Sequence, residues 1–84
     1  MSKRLIVVFI STHETMKAER VFKEGGIRVR TTTRPRSIES NCQLALTFKE
    51  NEFSKIREIT EKQSLSGAGF FRQLDDGRWE RLDS

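Results

Sequence analysis

The chain opens on an unbroken apolar segment and then changes its hydrophobic period several times. Residues 5–10 are all apolar and rich in β-branched side chains, which predicts a strand covered on both faces. Residues 27–33 alternate between apolar and polar positions, the period of a half-exposed strand. Residues 42–48 alternate again, and the positions on their apolar face are Cys42, Leu44, Leu46 and Phe48. Three strands are therefore predicted in the first 48 residues.

Two segments between the strands have helical spacing. Ser11 followed by Glu14 is a capping box, so a first helix is predicted to begin there and to end at the glycine pair 25–26. Asn51 is predicted to cap a second helix that runs to about residue 63. The residues assigned to the inner side of the first helix are Met16, Ala18, Val21 and Phe22.

The last third of the chain predicts a hairpin. Residues 64–69 are a flexible connection, and residues 70–74 are a fourth strand. Asp76 followed by Gly77 is a strong signal for a two-residue turn, so residues 78–82 are predicted as a fifth strand at the edge of the sheet. A two-residue turn predicts two cross-strand pairs: Leu74 with Trp79, and Gln73 with Glu80.

The resulting order of elements, β-α-β-β-α-β with an optional last strand, predicts an α+β fold. We expect a ferredoxin-like two-layer sandwich, in which an antiparallel sheet carries both helices on one face and has the first and third strands at its centre. Residues 1–84 are predicted to form a single domain, with 75–84 as a tail or an extra hairpin strand.

Composition excludes several classes of protein. The chain has one cysteine and one histidine, which is too few for a disulfide framework or a closed zinc site. The apolar run at 5–10 resembles a signal peptide but is too short and lacks a cleavage site, and no segment approaches the ~20 apolar residues that span a bilayer. We therefore expect a cytoplasmic protein without a bound metal, a cofactor or a membrane.

Basic residues are concentrated in the middle of the chain, which has a formal net charge of +4. Such a patch favours an anionic partner, namely nucleic acid, phosphate, an acidic protein surface or a small oxyanion. The alternative is that these charges only keep the protein soluble. The four arginines lie within nine residues that contain no acid: Arg28, Arg30, Arg34 and Arg36.

The predicted topology brings the single thiol, Cys42, to the end of the sheet where the first helix begins and the second and third strands are joined. A helix N-terminus and nearby cations favour a thiolate, whereas burial opposes it. The alternative interpretation is that Cys42 is a small buried hydrophobe, that His13 is a polar first-turn residue and that the loop is merely solvated. The residues predicted to converge are Ser11, Thr12, His13, Arg34, Arg36 and Cys42.

Hydrolase chemistry is not favoured. A Cys-His hydrolase needs an orienting third group and an oxyanion hole, and no acid or amide stands at an obvious partner position. We therefore do not expect enzymatic turnover.

Several short motifs stand in a fixed order along the chain. They are Phe9-x-Ser11-x-His13, Ala18-Glu19, Gly25-Gly26 and Pro35-Arg36-x-Ile38-x-Ser40-x-Cys42-x-Leu44-Ala45. Together they resemble the small bacterial selenium/sulfur carrier-like proteins, over residues 5 to about 72 and most strongly in the proline-arginine loop before the cysteine. The resemblance implies that Cys42 carries a sulfur or selenium atom, that Arg36 is the loop arginine beside it, that His13 matches the family's histidine, and that the partners are a donor and an acceptor of that atom.

Two other hypotheses remain open. Arg28 and Arg30 should project from the open face of the sheet, as in a binding module for nucleic acid or an acidic protein, with Cys42 purely structural. RNA binding there would need exposed aromatic residues, and the second and third strands supply none, so RNA ranks below the carrier role. The third hypothesis is a homodimer that pairs through the open sheet surface or the tail strand, with Trp79 as its anchor.

Overall fold

The computed structural model describes residues 4–40, 42–65 and 69–82. Within those residues the five strands form one antiparallel sheet in the order β2-β3-β1-β4-β5. The α+β class is confirmed, and β1 and β3 lie side by side as predicted. The elements are β1 (Arg4–Val8), α1 (Thr12–Glu24), β2 (Arg30–Thr33), β3 (Leu44–Lys49), a 3-10 turn (Glu50–Glu52), α2 (Phe53–Lys62), β4 (Gly69–Gln73) and β5 (Trp79–Arg81).

The first helix begins and ends where its sequence predicts. The Ser11 hydroxyl accepts a hydrogen bond from the Glu14 backbone N–H at 3.2 Å, which satisfies one of the free donors of the first turn. At the other end Gly26 has a φ of 81°, a left-handed conformation that glycine adopts without steric cost. The predicted inner face needs one correction, because Met16 is 63% exposed and Thr15 is buried in its place.

The second helix begins later than predicted. Asn51 is not its cap, because β3 leads directly into the 3-10 turn and Asn51 lies inside that turn. The N-cap position is Glu52, whose side chain makes no capping hydrogen bond. The ring of Phe53 anchors the start of α2 instead, with its centroid 6.4 Å from that of Phe48 and 5.2 Å from that of Phe70.

The β4–β5 hairpin is one residue away from the predicted register. The backbone N–H of Leu74 donates to the carbonyl of Arg78 at 2.7 Å, which leaves three residues in the loop rather than two. Gly77 takes the last loop position with a φ of 89°, the left-handed conformation that a three-residue hairpin loop needs there. Both predicted pairs are wrong for this reason. The observed pairs are Phe71 with Arg81, Arg72 with Glu80 and Gln73 with Trp79.

The two faces of the sheet are covered differently. Both helices pack on one face, which holds the larger core and the rings of Phe9 and Phe22. The opposite face carries a smaller cluster formed by Ile6, Val8 and Ala45, which Ile38 covers from the loop between β2 and β3. We call the face without helices the open face. Of the predicted connection 64–69, residues 66–68 lie outside the described residues.

The central strands are shorter than the hydrophobic pattern predicts. Strand β1 ends at Val8 rather than residue 10, and Ile10 is 51% exposed. Strand β2 begins at Arg30 rather than residue 27. Strand β3 begins at Leu44 rather than Cys42, because side chains and not a neighbouring strand satisfy the backbone groups of Cys42.

Candidate functional site

The sulfur of Cys42 lies against the first turn of α1. The Cys42 side chain is 1% exposed, and its Sγ is 3.2 Å from Thr15 Oγ1 and 3.9 Å from Thr12 Oγ1. The sulfur therefore points to the helix-covered face, as its position in the alternating pattern predicts. Its nearest polar neighbour is the Thr15 hydroxyl, in a helix that begins about thirty residues earlier in the chain.

The sulfur is surrounded by both hydrogen-bond acceptors and donors. The Thr15 hydroxyl has a single hydrogen, which it donates to the Ser11 carbonyl at 2.9 Å, so toward the sulfur its oxygen is an acceptor. The Leu44 carbonyl is a second acceptor for the S–H, at 3.4 Å, and the Leu44 N–H donates to Sγ at the same distance. The polar neighbours of Sγ are therefore two acceptors, one backbone donor and the Thr12 hydroxyl, which can donate or accept.

Arg34 holds the backbone around the cysteine rather than the sulfur itself. Its Nε donates to the Cys42 carbonyl at 2.8 Å, and its guanidinium also donates to the carbonyls of Pro35 and Ile38. The Arg34 backbone N–H donates to the Gln43 carbonyl at 2.8 Å. One half-buried side chain thus binds both ends of the β2–β3 connection and closes it into a compact loop.

Ser40 is the second residue that holds this loop in place. Its hydroxyl donates to the Phe9 carbonyl at 3.0 Å and accepts from the Cys42 N–H at 3.2 Å. It also lines a cleft of about 480 Å³ that opens on the open face, together with Ile38 and Arg81. Ser40 therefore stands between this cleft and the backbone of Cys42.

The six predicted site residues are placed at different distances from the thiol. Thr12 contacts the sulfur, Ser11 caps the helix beside it, and Arg34 binds the carbonyl of Cys42. His13 and Arg36 are exposed, and neither makes a hydrogen bond or an ion pair with another residue of the described ranges. Their predicted roles at the thiol stay predictions.

Sequence reasoning missed Thr15 and gave Ser40 no role. A signal for Thr15 exists in the chain, because residues 15, 18 and 22 have the spacing of one helical stripe, and all three are buried. Ser40 stands in the loop motif that leads to Cys42, but no periodicity in the chain indicates its role. Its bond to the Phe9 carbonyl depends on the end of β1 and the β2–β3 loop meeting in space, which a linear pattern does not encode.

Other kinds of site were sought across the described residues. Nowhere in 4–40, 42–65 and 69–82 do three histidine, cysteine, aspartate or glutamate side chains stand close enough to hold a metal ion. Neither helix of this part of the chain has the length and apolar character needed to cross a membrane. The homodimer and the nucleic-acid partner stay predictions.

Comparison with known proteins gives one assignment. Curated proteins and solved structures yield no match. A family model described as "Putative Se/S carrier protein-like" matches residues 4–72, a span that includes α1, the Arg34 loop and Cys42. The match covers most of the chain, and the residues that surround the thiol all lie within it. The chain belongs to the Putative Se/S carrier protein-like family.

Proposed function

We propose that this protein carries a sulfur or selenium atom on Cys42. One observation supports the proposal most: within the family-matched region, the only thiol lies against a helix N-terminus among hydroxyls and backbone groups rather than in purely apolar packing. The strand order is compatible with a ferredoxin-like sandwich that has gained one edge strand, and we include that assignment in the proposal.

The loading reaction is a substitution at sulfur. The Cys42 thiol first loses its proton to the His13 imidazole, and the thiolate attacks the terminal sulfur of a donor persulfide, R–S–SH. A bond forms between Sγ and that sulfur, the donor's S–S bond breaks, and the donor leaves as the thiolate R–S⁻. No electrons are gained or lost overall. A donor of the form R–S–SeH transfers selenium in the same way.

Loading requires the loop between β2 and β3 to open, because the folded thiol is 1% exposed. Arg34 and Ser40 hold the loop closed through three backbone carbonyls and the Phe9 carbonyl. Local opening of a surface loop costs less free energy than global unfolding. The closed loop protects a loaded atom from solvent, and the open loop presents it to the acceptor.

His13 and Arg36 are the exposed groups that we assign to the open state. Arg36 supplies a positive charge for the departing donor thiolate, and the imidazole of His13 accepts or returns the thiol proton. Either substitution, His13→Gln or Arg36→Gln, should slow loading without changing its final extent. Slowing by about tenfold or less is expected, because an exposed charged group contributes about 1 kcal/mol or less in water.

The test is intact-mass spectrometry after incubation with a small-molecule persulfide such as glutathione persulfide, without reductant. The wild-type protein should gain one sulfur atom, located on the peptide that contains Cys42, and thiol reductant should remove it. Cys42→Ser should gain none while keeping its fold, because a hydroxyl finds the same partners at Thr15 and Leu44.

The contrary outcome is a native protein that gains no sulfur while the same chain in denaturant gains one. Arg34→Gln removes the possibility that the donor simply cannot enter, since this variant loosens the loop. If neither the wild type nor Arg34→Gln accepts sulfur in the folded state, Cys42 is a structural residue and the carrier function is wrong.

A further inference from the structure

A second cleft lies at the opposite end of the sheet from Cys42. It has a volume of about 600 Å³. We call it the basic cleft, because four of its lining side chains are cations and one is a carboxylate, Glu52. The pairing register places Arg4 opposite Lys49 and Arg30 opposite Thr47. The four cations that line it are Arg4, Arg28, Arg30 and Lys49.

These four cations lack the carboxylate partners that six other cations of the described residues have. No carboxylate oxygen of the described residues lies within 4.0 Å of their charged nitrogens. All four side chains are exposed. The paired cations elsewhere include Arg20 with Glu24, Arg57 with Glu61, Lys62 with Glu58, Arg72 with Glu80 and Arg78 with Asp76.

Two pKa values show what pairing does outside the basic cleft. A hydrogen bond from Lys62 lowers the pKa of Glu58, and a hydrogen bond to Glu80 raises the pKa of Arg72. In both pairs the charge of one residue is compensated by the opposite charge of the other. The guanidinium of Arg4 has only a neutral partner, since its Nε donates to Thr47 Oγ1 at 3.1 Å. This bond orients Arg4 without neutralising it.

The arrangement of the cations is costly for the isolated fold. Like charges on directly opposed strand positions destabilise a sheet, and Arg4 and Lys49 are such a pair, with Arg30 on the next strand over. All three project from the open face, so their charges add in one place. Oriented, uncompensated guanidinium groups are the donors that bind phosphate with paired hydrogen bonds.

We infer that the basic cleft binds the phosphate groups of a nucleotide or of a single-stranded nucleic acid. This inference is independent of the carrier role of Cys42, which lies at the other end of the sheet. Arg28 and Arg30 supply the principal contacts, Arg4 is held in place by Thr47, and Lys49 adds a fourth charge. Both ligands present phosphate oxygens to the cleft. Binding of a small phosphate probe and of an oligonucleotide probe distinguishes the nucleotide from the nucleic acid.

The first experiment measures binding of inorganic pyrophosphate by calorimetry and of a short fluorescent oligoribonucleotide by anisotropy, at low salt. The double variant Arg28→Gln/Arg30→Gln should weaken binding of whichever probe binds the wild type by about tenfold or more, because two charged hydrogen-bond donors are lost. If the probe is the oligonucleotide, the slope of log affinity against log salt should become shallower by about 1.4. Pyrophosphate binding alone identifies a free phosphate ligand.

The matched control is Arg20→Gln/Arg57→Gln, which removes two arginines from the helices and changes the net charge equally. It should weaken binding by less than about twofold, since only the long-range field changes. Equal losses in the two double variants would mean that net charge alone attracts the probe, and the site would be rejected. Failure of both probes to bind the wild type would reject it as well.

Chemical-shift mapping locates the site without a substitution. With the probe that binds, we expect the largest backbone amide shifts at residues 28–30 and 47–49, and little change at 12–15 and 42–44. Shifts centred on the Cys42 end would place the anion at the thiol and contradict the inference. This outcome is distinct from failure of the carrier function, which is read from sulfur loading.

Discussion

The two ends of the sheet treat their polar groups in opposite ways. At the Cys42 end, the thiol, two hydroxyls and the Arg34 guanidinium find partners inside the protein. At the basic end, Arg28, Arg30 and Lys49 are exposed and have no carboxylate within ion-pair distance in the described ranges. The polar groups of the first end therefore have hydrogen-bond partners within the protein. The cations of the second end remain able to bind an external anion.

Charged residues that cluster in the sequence need not lie at the same end of the fold. The arginines of residues 28–36 form one group in the chain, but the sheet divides them. Arg34 is used to close a loop, and Arg28 and Arg30 turn to the far end of the open face. Arg34 consequently bonds to the carbonyl of Cys42, and two of the four arginines line the cleft at the opposite end.

The largest effect should come from Arg34→Gln. It removes charged hydrogen bonds to the carbonyls of Cys42 and Ile38, so we expect the free energy of unfolding to fall by about 2–3 kcal/mol. Alkylation of Cys42 by iodoacetamide should accelerate about thirtyfold or more, because labelling follows opening of the loop. Urea denaturation and timed alkylation measure the two effects.

Arg36→Gln is the matched control for this change. The Arg36 side chain is exposed and has no polar partner in the described ranges, so its loss should alter stability by less than about 0.5 kcal/mol. It should not accelerate alkylation. If the two variants behave alike, Arg34 does not close the loop, and the contrast between the two ends loses its structural basis.

A smaller effect is expected from Thr15→Val. This change keeps the side-chain shape but removes the hydroxyl that contacts the sulfur and donates to the Ser11 carbonyl. We expect a loss of about 1 kcal/mol in the free energy of unfolding, together with faster alkylation of Cys42. Thermal or urea unfolding followed by circular dichroism provides the measurement.

Thr60→Val is the control that separates the effect of the Thr15–Cys42 contact from the effect of losing a buried helical hydroxyl. Thr60 is also a buried helical threonine whose hydroxyl donates four residues back, to the Ile56 carbonyl at 2.7 Å, but it does not contact Cys42. It should cost less than Thr15→Val and leave alkylation unchanged. Equal effects on the alkylation rate would show that the Thr15 hydroxyl gives the thiol no particular protection.

The smallest change is expected at the basic end, and it should have the opposite sign. Lys49→Glu replaces a like-charge pair with an attractive one across from Arg4, so stability should rise by about 0.5 kcal/mol. Binding of the phosphate probe should be lost at the same time. Unfolding by urea and the anisotropy or calorimetric titration measure the two quantities on one variant.

Lys62→Glu is the control for the change of net charge. It removes the partner of Glu58 on α2, so it should lower stability slightly and leave phosphate binding nearly intact. A Lys49→Glu variant that is less stable than the wild type would show that the basic end is not under electrostatic strain. The contrast between the hydrogen-bonded Cys42 end and the uncompensated basic end would then be wrong.

The sequence predicts the elements well where the local signal is strong. Ser11 and Glu14 fix the start of α1, and Gly26 fixes its end, because capping depends on neighbouring residues alone. The β4–β5 register could not be read in the same way. Asp76 and Gly77 fit both a two-residue and a three-residue loop, and the structure takes the latter.

The candidate site was only partly predictable for the same physical reason. Topology brings Cys42 to the start of α1, as the order of elements predicts. Which atoms meet there depends on side-chain direction, so Thr15 was missed and Arg34 binds a carbonyl instead of the sulfur. The basic cleft depends on the register of β1 with β3, which residue spacing does not determine.

Whether the protected thiol becomes a carrier when its loop opens is decided by a rate of sulfur transfer. It is the rate at which a small persulfide transfers sulfur to Cys42 in the native wild type, in native Arg34→Gln and in the denatured chain, followed by peptide mass spectrometry. The expected result is slow but complete transfer to the wild type and transfer at least about tenfold faster to Arg34→Gln. Transfer to the denatured chain alone would contradict the claim.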